Sequence, residues 1–212
     1  MPNGLLIAGF NYAKVAADEF NAWYDTEHLP ERLAIPGFIS ARRWLTKDLK
    51  PGEGKCLATY ELESIGVLST PEYLAHVGDH FSPWSRRCLG KALVFRRWAC
   101  ESLSGGDQRQ SAASRFLFIA VGDTPVEHEA EFNQWYDREH IPLLAAVPGV
   151  LSARRFRDPS GNPRYLALYE LAGASVLEQP GWQAALQTPW FRRIDSLVSG
   201  CEWILRLYQA YP

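Results

Sequence analysis

The chain of 212 residues is 47% hydrophobic and 22% charged, enough for one large domain or two small ones with real cores. Its 22 Lys and Arg against 24 Asp and Glu leave a net charge of −2, which gives no electrostatic footprint for nucleic acid or an anionic membrane. No apolar run approaches the ~18 residues of a transmembrane helix, Leu5 to Phe10 is too short for a signal peptide, and four cysteines without CxxC spacing make no disulfide framework. A cytoplasmic protein is expected.

Leu5 to Phe10 has the length of a short strand. Residues 15–28 then show helical spacing. At about 100° per residue, Phe20, Trp23, Tyr24 and Glu27 share one face, and Asn21, Asp25 and His28 form an adjoining polar stripe. Pro30 is expected to bound this helix. The Pro36-Gly37 turn launches a second strand, Phe38 to Leu45. Simple alternation points Phe38, Ser40, Arg42 and Trp44 one way and Ile39, Ala41, Arg43 and Leu45 the other. Both faces therefore carry bulky apolar groups. Turn residues 50–54 lead to a third strand, Leu57 to Leu62. Thr70-Pro71 and Ser82-Pro83 each pair an N-cap residue with a first-turn proline and open two helices. A last strand is expected near Ala92 to Ala99.

The same series then repeats. Residues 19–44 and 131–156 align without a gap at an offset of 112, with 16 of 26 positions identical, so the chain is a duplication. Downstream, Ala58 to Leu62 matches Ala167 to Leu171 at an offset of 109, and Pro83 to Arg87 matches Pro189 to Arg193 at an offset of 106. The second copy is expected to hold strands at Phe116–Val121, Val150–Phe156, Tyr165–Leu171 and Cys201–Tyr208. Its helix is bounded by Pro142, its strand launched by Pro148-Gly149, and a second helix opened by Thr188-Pro189. Residues 1–101 and 115–212 thus form two repeats joined by a Gly/Ser-rich linker at 102–114. Each reads β-α-β-β-α-β, the ferredoxin-like pattern of an α+β protein. Such a sheet has helices on one face only, and the other repeat is expected to cover the second.

The stretch F-N-x-W-Y-D-x-E-H-x-P followed by P-G-h-h-x-A-R-R resembles the EthD-like branch of the dimeric α+β barrel superfamily. The resemblance is strong over 19–44 and 131–156 and rests on pattern elsewhere. It implies an intramolecular barrel, because members are commonly single units that dimerise and here both units lie in one chain. Further homo-oligomerisation stays open. The superfamily includes cofactor-independent polyketide cyclases and monooxygenases, muconolactone-type isomerases and some haem enzymes.

His28 and His140 recur at matching positions. Each ends its helix, where the macrodipole and Glu27 or Glu139 are expected to favour the imidazolium and raise its pKa. Such a group takes a proton from carbon beside a carbonyl and returns it elsewhere. The competing use is capping of its own helix. Tyr24 and Tyr136, four residues earlier, would polarise the carbonyl, as the resemblance to barrel cyclases implies. Arg42-Arg43 and Arg154-Arg155 place one guanidinium on each face of the second strand. Arg42 and Arg154 are the candidates for holding a carboxylate or enolate, against a cross-strand pair with Glu61 or Glu170 that is expected for at least one Arg per repeat. Trp23, Trp135, Trp84 and Trp190 are candidate pocket walls, with core packing as the alternative, and the repeated Tyr60 and Tyr169 are open to the same two uses. His80, like His76, lacks a mate in the second copy and is a further substrate-binding candidate, which raises the prospect that one site has diverged.

No phosphate loop, HExxH or GxSxG elbow is present. His28 with Glu27 or Asp25 lacks an evident third ligand, so no metal is expected, and no cofactor. The expected function is a cofactor-independent isomerase, cyclase or lyase acting on a small apolar or aromatic carbonyl compound or lactone. The alternatives are a non-catalytic barrel that binds a hydrophobic metabolite or serves an oxygenase system, and a cofactor-free monooxygenase.

Overall fold

The computed structural model describes residues 3–46, 56–104 and 110–212. The expected turn at residues 50–54 lies outside them. The chain divides into two compact units, Met1–Glu101 with Ala210–Pro212 and Ser102–Gln209. No helix of the described residues is long and apolar enough to cross a membrane.

In the first unit β1 (Gly4–Asn11) is the middle of the sheet, antiparallel to β3 (Cys56–Leu62) on one side and β4 (Leu93–Ser104) on the other. Strand β2 (Phe38–Leu45) lies outside β3, giving the order 4-1-3-2. The second unit repeats it: β5 (Phe116–Gly122) runs between β7 (Tyr165–Leu171) and β8 (Ile204–Ala210), and β6 (Val150–Arg157) lies outside β7. Among the described residues, eight strands in antiparallel pairs, with helices between, make this an α+β protein. Strand β4 continues to Ser104, so the first three residues of the expected linker are strand.

Alternation sorts each sheet into a helix-facing and an opposite side. In the first unit Leu6, Ala8 and Phe10 of β1 and Cys56, Ala58, Tyr60 and Leu62 of β3 belong to the core under the helices. The opposite side, Leu5, Ile7, Leu57 and Trp44, is buried as completely. One strand departs from simple alternation. The register shifts between Phe38 and Ser40, and again between Val150 and Ser152. That bulge reverses parity for the first residue. Phe38 therefore joins Ala41 and Leu45 under the helices, packed against Tyr60 at 5.9 Å and Tyr73 at 6.0 Å, and not the side of Arg42 and Trp44 that plain alternation gives it. The bulge follows Gly37, whose φ of +92° only glycine adopts readily, and a Cβ there would meet Val67 Cγ2 at 2.4 Å.

The first helix also differs from expectation. Helix α1 (Ala17–Trp23) passes into a π turn, Tyr24–His28, and then into α2 (Leu29–Leu33), so Pro30 lies inside the helical run. The second unit repeats this with α5 (Glu129–Trp135), a π turn at Tyr136–His140 and α6 (Ile141–Ala145). The turn closes with Leu29 N–H donating to the Tyr24 carbonyl, five residues back. This widening, just before the proline, accommodates a ring that a regular α-helix would clash with. Three N-caps are as expected. Thr70 opens α3 (Pro71–Leu74), Ser82 opens α4 (Pro83–Lys91) and Thr188 opens α8 (Pro189–Leu197), each oxygen accepting the N–H three residues on. Between α6 and α8 lies α7 (Pro180–Ala185).

A buried arginine ties each π-helical segment to its sheet. Arg43 donates to Asp25 Oδ1 at 2.7 Å and Asn21 Oδ1 at 2.5 Å, and its guanidinium lies 4.4 Å from the centre of the Tyr24 ring. Arg155 does the same with Asp137 at 3.1 Å, Asn133 at 2.7 Å and the Tyr136 ring at 4.1 Å. Replacing both acceptors, Asn133→Ala with Asp137→Ala, leaves a guanidinium that is 2% exposed without its hydrogen bonds. A loss of about 3 kcal/mol in urea unfolding is expected. An unchanged midpoint would show that the clamp carries no stability.

Candidate functional site

The second unit contains a cavity of about 510 Å³ between its sheet and its helices. The sheet supplies Phe118, Ala120, Tyr169 and Leu205, the π-helical segment supplies Phe132, Trp135, Tyr136 and His140, and the remaining wall comes from α7, α8 and residues 199–203. It is an apolar, aromatic space with a few polar tips. Several of those tips have no partner: the Tyr169 hydroxyl, His140 Nδ1 and Trp203 Nε1 are buried without a hydrogen bond. Buried polar groups are normally satisfied, so three orphans around one cavity are a signature of a site built for something else to complete.

Burial sets the protonation of these groups. Tyr169, fully buried, is pushed well above the usual phenol value, and Tyr136 rises to about 12 although Arg155 pulls it down. Both are therefore protonated donors. His140 is lowered to about 3, first by burial and then by Arg155, and His28 is lowered to about 3 by burial, Arg32 and Arg43. The expected raised pKa is thus reversed. The helix does not end at either His, so no helix C-terminus faces the ring. Glu27 accepts from Ser82 and Ser85, and Glu139 from Trp135 Nε1 at 3.2 Å and Thr188 at 2.6 Å, so both carboxylates are engaged by other donors and neither raises an imidazole pKa. His140 instead stacks on Trp135 at 4.2 Å and stands edge-on to Tyr136 at 5.2 Å.

The two copies have diverged at this position. In the first unit Tyr24 and Tyr60 share a hydrogen bond of 2.5 Å, whereas Tyr136 and Tyr169, their counterparts, are not bonded to each other. Phe10 fills the core against Phe20 and Tyr24, where the second copy has Gly122. A Cβ at Gly122 would lie 2.4 Å from the indole of Trp203, so the missing side chain makes room for that wall. Ser85, which links Trp23 Nε1 to Glu27 in the first copy, becomes Phe191, which lines the cavity beside His140.

Of the residues singled out from sequence, His140, Tyr136 and Trp135 meet at the cavity. Trp23, Tyr24 and His28 form a packed cluster in the first unit, with His28 4.6 Å from Trp23 and 5.0 Å from Tyr24. Trp84 packs at the edge of the first core and Trp190 at the edge of the second, neither among the cavity walls. His80 is exposed on a short turn, Gly78–His80. Arg42 lies over the Trp44 ring at 4.6 Å. Arg154 makes the cross-strand alternative, a fully buried pair with Glu170 at 2.9 Å, and Glu170 also accepts from Ser111 N–H and the Ser114 hydroxyl. The sequence offers Tyr169, repeated as Tyr60, and Arg155, one of the repeated Arg pair, without choosing either for the site, and it does not single out Trp182 or Trp203. The two tryptophans have no tryptophan mate in the first copy.

Neutral buried histidines predict acid sensitivity. Between pH 6.5 and about 3 the unfolded chain binds a proton at each His that the folded chain does not. Stability therefore falls as the pH falls through that window, by up to about 1.4 kcal/mol per pH unit for each group. His140→Phe should remove one group's share of the slope when urea unfolding is followed from pH 7 to pH 4. An unchanged slope would mean that His140 is charged in the fold.

No family model matches the chain, and no curated protein matches it. Solved structures do. A candidate monooxygenase from Fusobacterium nucleatum superposes with a TM-score of 0.62 at 8% identity, covering 100% of this chain and 94% of its own. An anthrone oxidase-like protein gives 0.61 at 15%, covering 99% and 92%. A mutant chlorite dismutase from Candidatus Nitrospira defluvii gives 0.67 at 9%, covering 99% and 91%. Haem, which the sequence resemblance leaves open, does not fit the cavity. Its lining has no Lys or Arg for the propionates, and its one carboxylate, Asp195, has their sign. At these identities the likeness shows the fold alone: the chain shares its α+β fold with these proteins.

Proposed function

We propose that the chain is a cofactor-independent small-molecule enzyme whose working site is the cavity of the second unit. The observation that carries this reading is the Tyr169 hydroxyl, buried and unpartnered in the cavity wall with Tyr136 and His140. The substrate is a planar aromatic ketone or lactone. Its oxygen accepts from Tyr136 and Tyr169, and Phe118, Trp135 and Trp182 enclose its rings. Negative charge that develops on that oxygen is stabilised by the two hydroxyls and by Arg155 behind the Tyr136 ring. His140 accepts the proton from the acidic carbon that is alpha to the carbonyl or conjugated with it. A pKa of about 3 makes the free imidazole a weak base, and the oxyanion forming beside it offsets both burial and the Arg155 field.

Return of the proton to a different atom completes an isomerase, cyclase or lyase reaction. A monooxygenase shares the first step and is supported by the names of two fold relatives, a candidate monooxygenase and an anthrone oxidase-like protein. There the carbanion reduces dioxygen: a CH2 carbon becomes a carbonyl, one oxygen atom stays on carbon and the other leaves as water. In either case His28 and Tyr24 are structural counterparts. The architecture belonging to this reading is two ferredoxin-like repeats, 1–101 and 115–212, closed into one intramolecular barrel of the EthD-like type. It is supported by the repeated 4-1-3-2 strand order and by fold relatives that match along the whole chain.

The test incubates the protein with enolisable aryl ketones and anthrones in D2O, reading exchange at the acidic carbon by NMR and oxygen uptake by electrode. Exchange without oxygen uptake identifies proton-transfer chemistry; stoichiometric uptake identifies the monooxygenase. Tyr169→Phe should lower the rate by about 10²-fold and Tyr60→Phe should leave it unchanged. Equal losses would overturn the assignment to the second unit, and binding with neither exchange nor uptake would leave a ligand-binding barrel.

A further inference from the structure

The ionisable groups around the cavity limit which ligands it accepts. Among its walls the one carboxylate is Asp195, exposed on α8, and there is no Lys or Arg. His140, held neutral by burial, packs between Trp135 and Phe191. The nearby cations are committed or turned elsewhere. Arg155 gives its NH1 and NH2 groups to Asp137 and Asn133, Arg193 pairs with Glu131 through two nitrogens, and Arg192, one turn before Asp195, is exposed and not among the walls. The unpartnered groups, by contrast, include donors: the Tyr169 hydroxyl and Trp203 Nε1, the latter a donor only.

We propose that this cavity selects an uncharged, oxygen-bearing aromatic ligand and rejects its carboxylate counterpart. The inference rests on the cavity being the binding site, as argued above, and adds the charge class of what it takes. A neutral carbonyl or phenol oxygen satisfies the donors while its rings fill the aromatic space. A carboxylate of the same shape gives up its hydration without meeting a cation and passes Asp195 at the rim, both unfavourable. Substrates tethered to phosphate or to a free acid are thereby disfavoured.

The probes are 2-acetylnaphthalene and 2-naphthoate, nearly identical in outline and differing in charge at pH 7. Binding to the full chain at low salt is read by quenching of tryptophan fluorescence, since Trp135, Trp182 and Trp203 line the cavity. Acetylnaphthalene is expected to bind at least about tenfold more tightly than naphthoate. Asp195→Lys should narrow that ratio by improving naphthoate, with acetylnaphthalene affinity kept. Tyr169→Phe should weaken acetylnaphthalene, which ties the signal to this cavity. Naphthoate binding as tightly as the ketone, or a ratio unmoved by Asp195→Lys, would overturn the charge selection while leaving the site in place. Quenching by neither probe would remove the site and the selection together.

Discussion

Arg155 carries a full charge at a position almost without solvent, and the second unit is arranged around keeping it there. Its guanidinium gives hydrogen bonds to Asn133 and Asp137 and lies against the Tyr136 ring. Those three residues come from consecutive turns of one helical run, so the contact sets both the distance of that run from β6 and its rotation. Tyr136 is then held over the sheet, and the π turn that begins with it carries His140 to the same side. The first unit makes the identical clamp with Arg43, Asn21, Asp25 and Tyr24. The conserved shape of the two copies and the recurring N-x-W-Y-D with R-R are one fact seen twice: the acceptors, the ring and the cation of a single buried interaction.

With the frame fixed, small side-chain differences decide what each frame encloses. Phe10 against Gly122 and Ser85 against Phe191 are two such exchanges. In the first copy the tyrosine hydroxyls satisfy each other, and aromatic rings pack from Phe10 to His28. In the second, a glycine admits an indole as a wall and the hydroxyl of Tyr169 is left facing open space. Neutralisation of His140 follows from the same enclosure, because an imidazolium there would be desolvated beside an arginine.

Much of the architecture was legible from the chain. Thr70, Ser82 and Thr188 each precede a proline, and each caps the helix it announces. The strands lie within a few residues of their expected bounds because β-rich runs end at turn residues. Two features were not legible for definite reasons. Phe38 and Val150 look like members of an alternating series, and only the bulge, which depends on pairing with β3 and β7, changes their side. His28 and His140 fall on a polar stripe at 3.6 residues per turn, whereas a π turn moves them into the core. For the site, repetition was the signal followed, and it leads to residues that both copies need for the frame. Trp182 and Trp203 shape the cavity and have no tryptophan counterparts, so a search for repeated residues passes over them.

The contrast between Phe10 and Gly122 has a consequence for how such a protein can change. In an assembly of two identical chains, every substitution at one site is made at the other, so a residue that plugs one opening plugs both. Fusing the halves ends that obligation. One half is then free to become a well-packed support, while the other keeps an unfilled interior. Loss of symmetry separates the task of holding the fold from the task of leaving room in it.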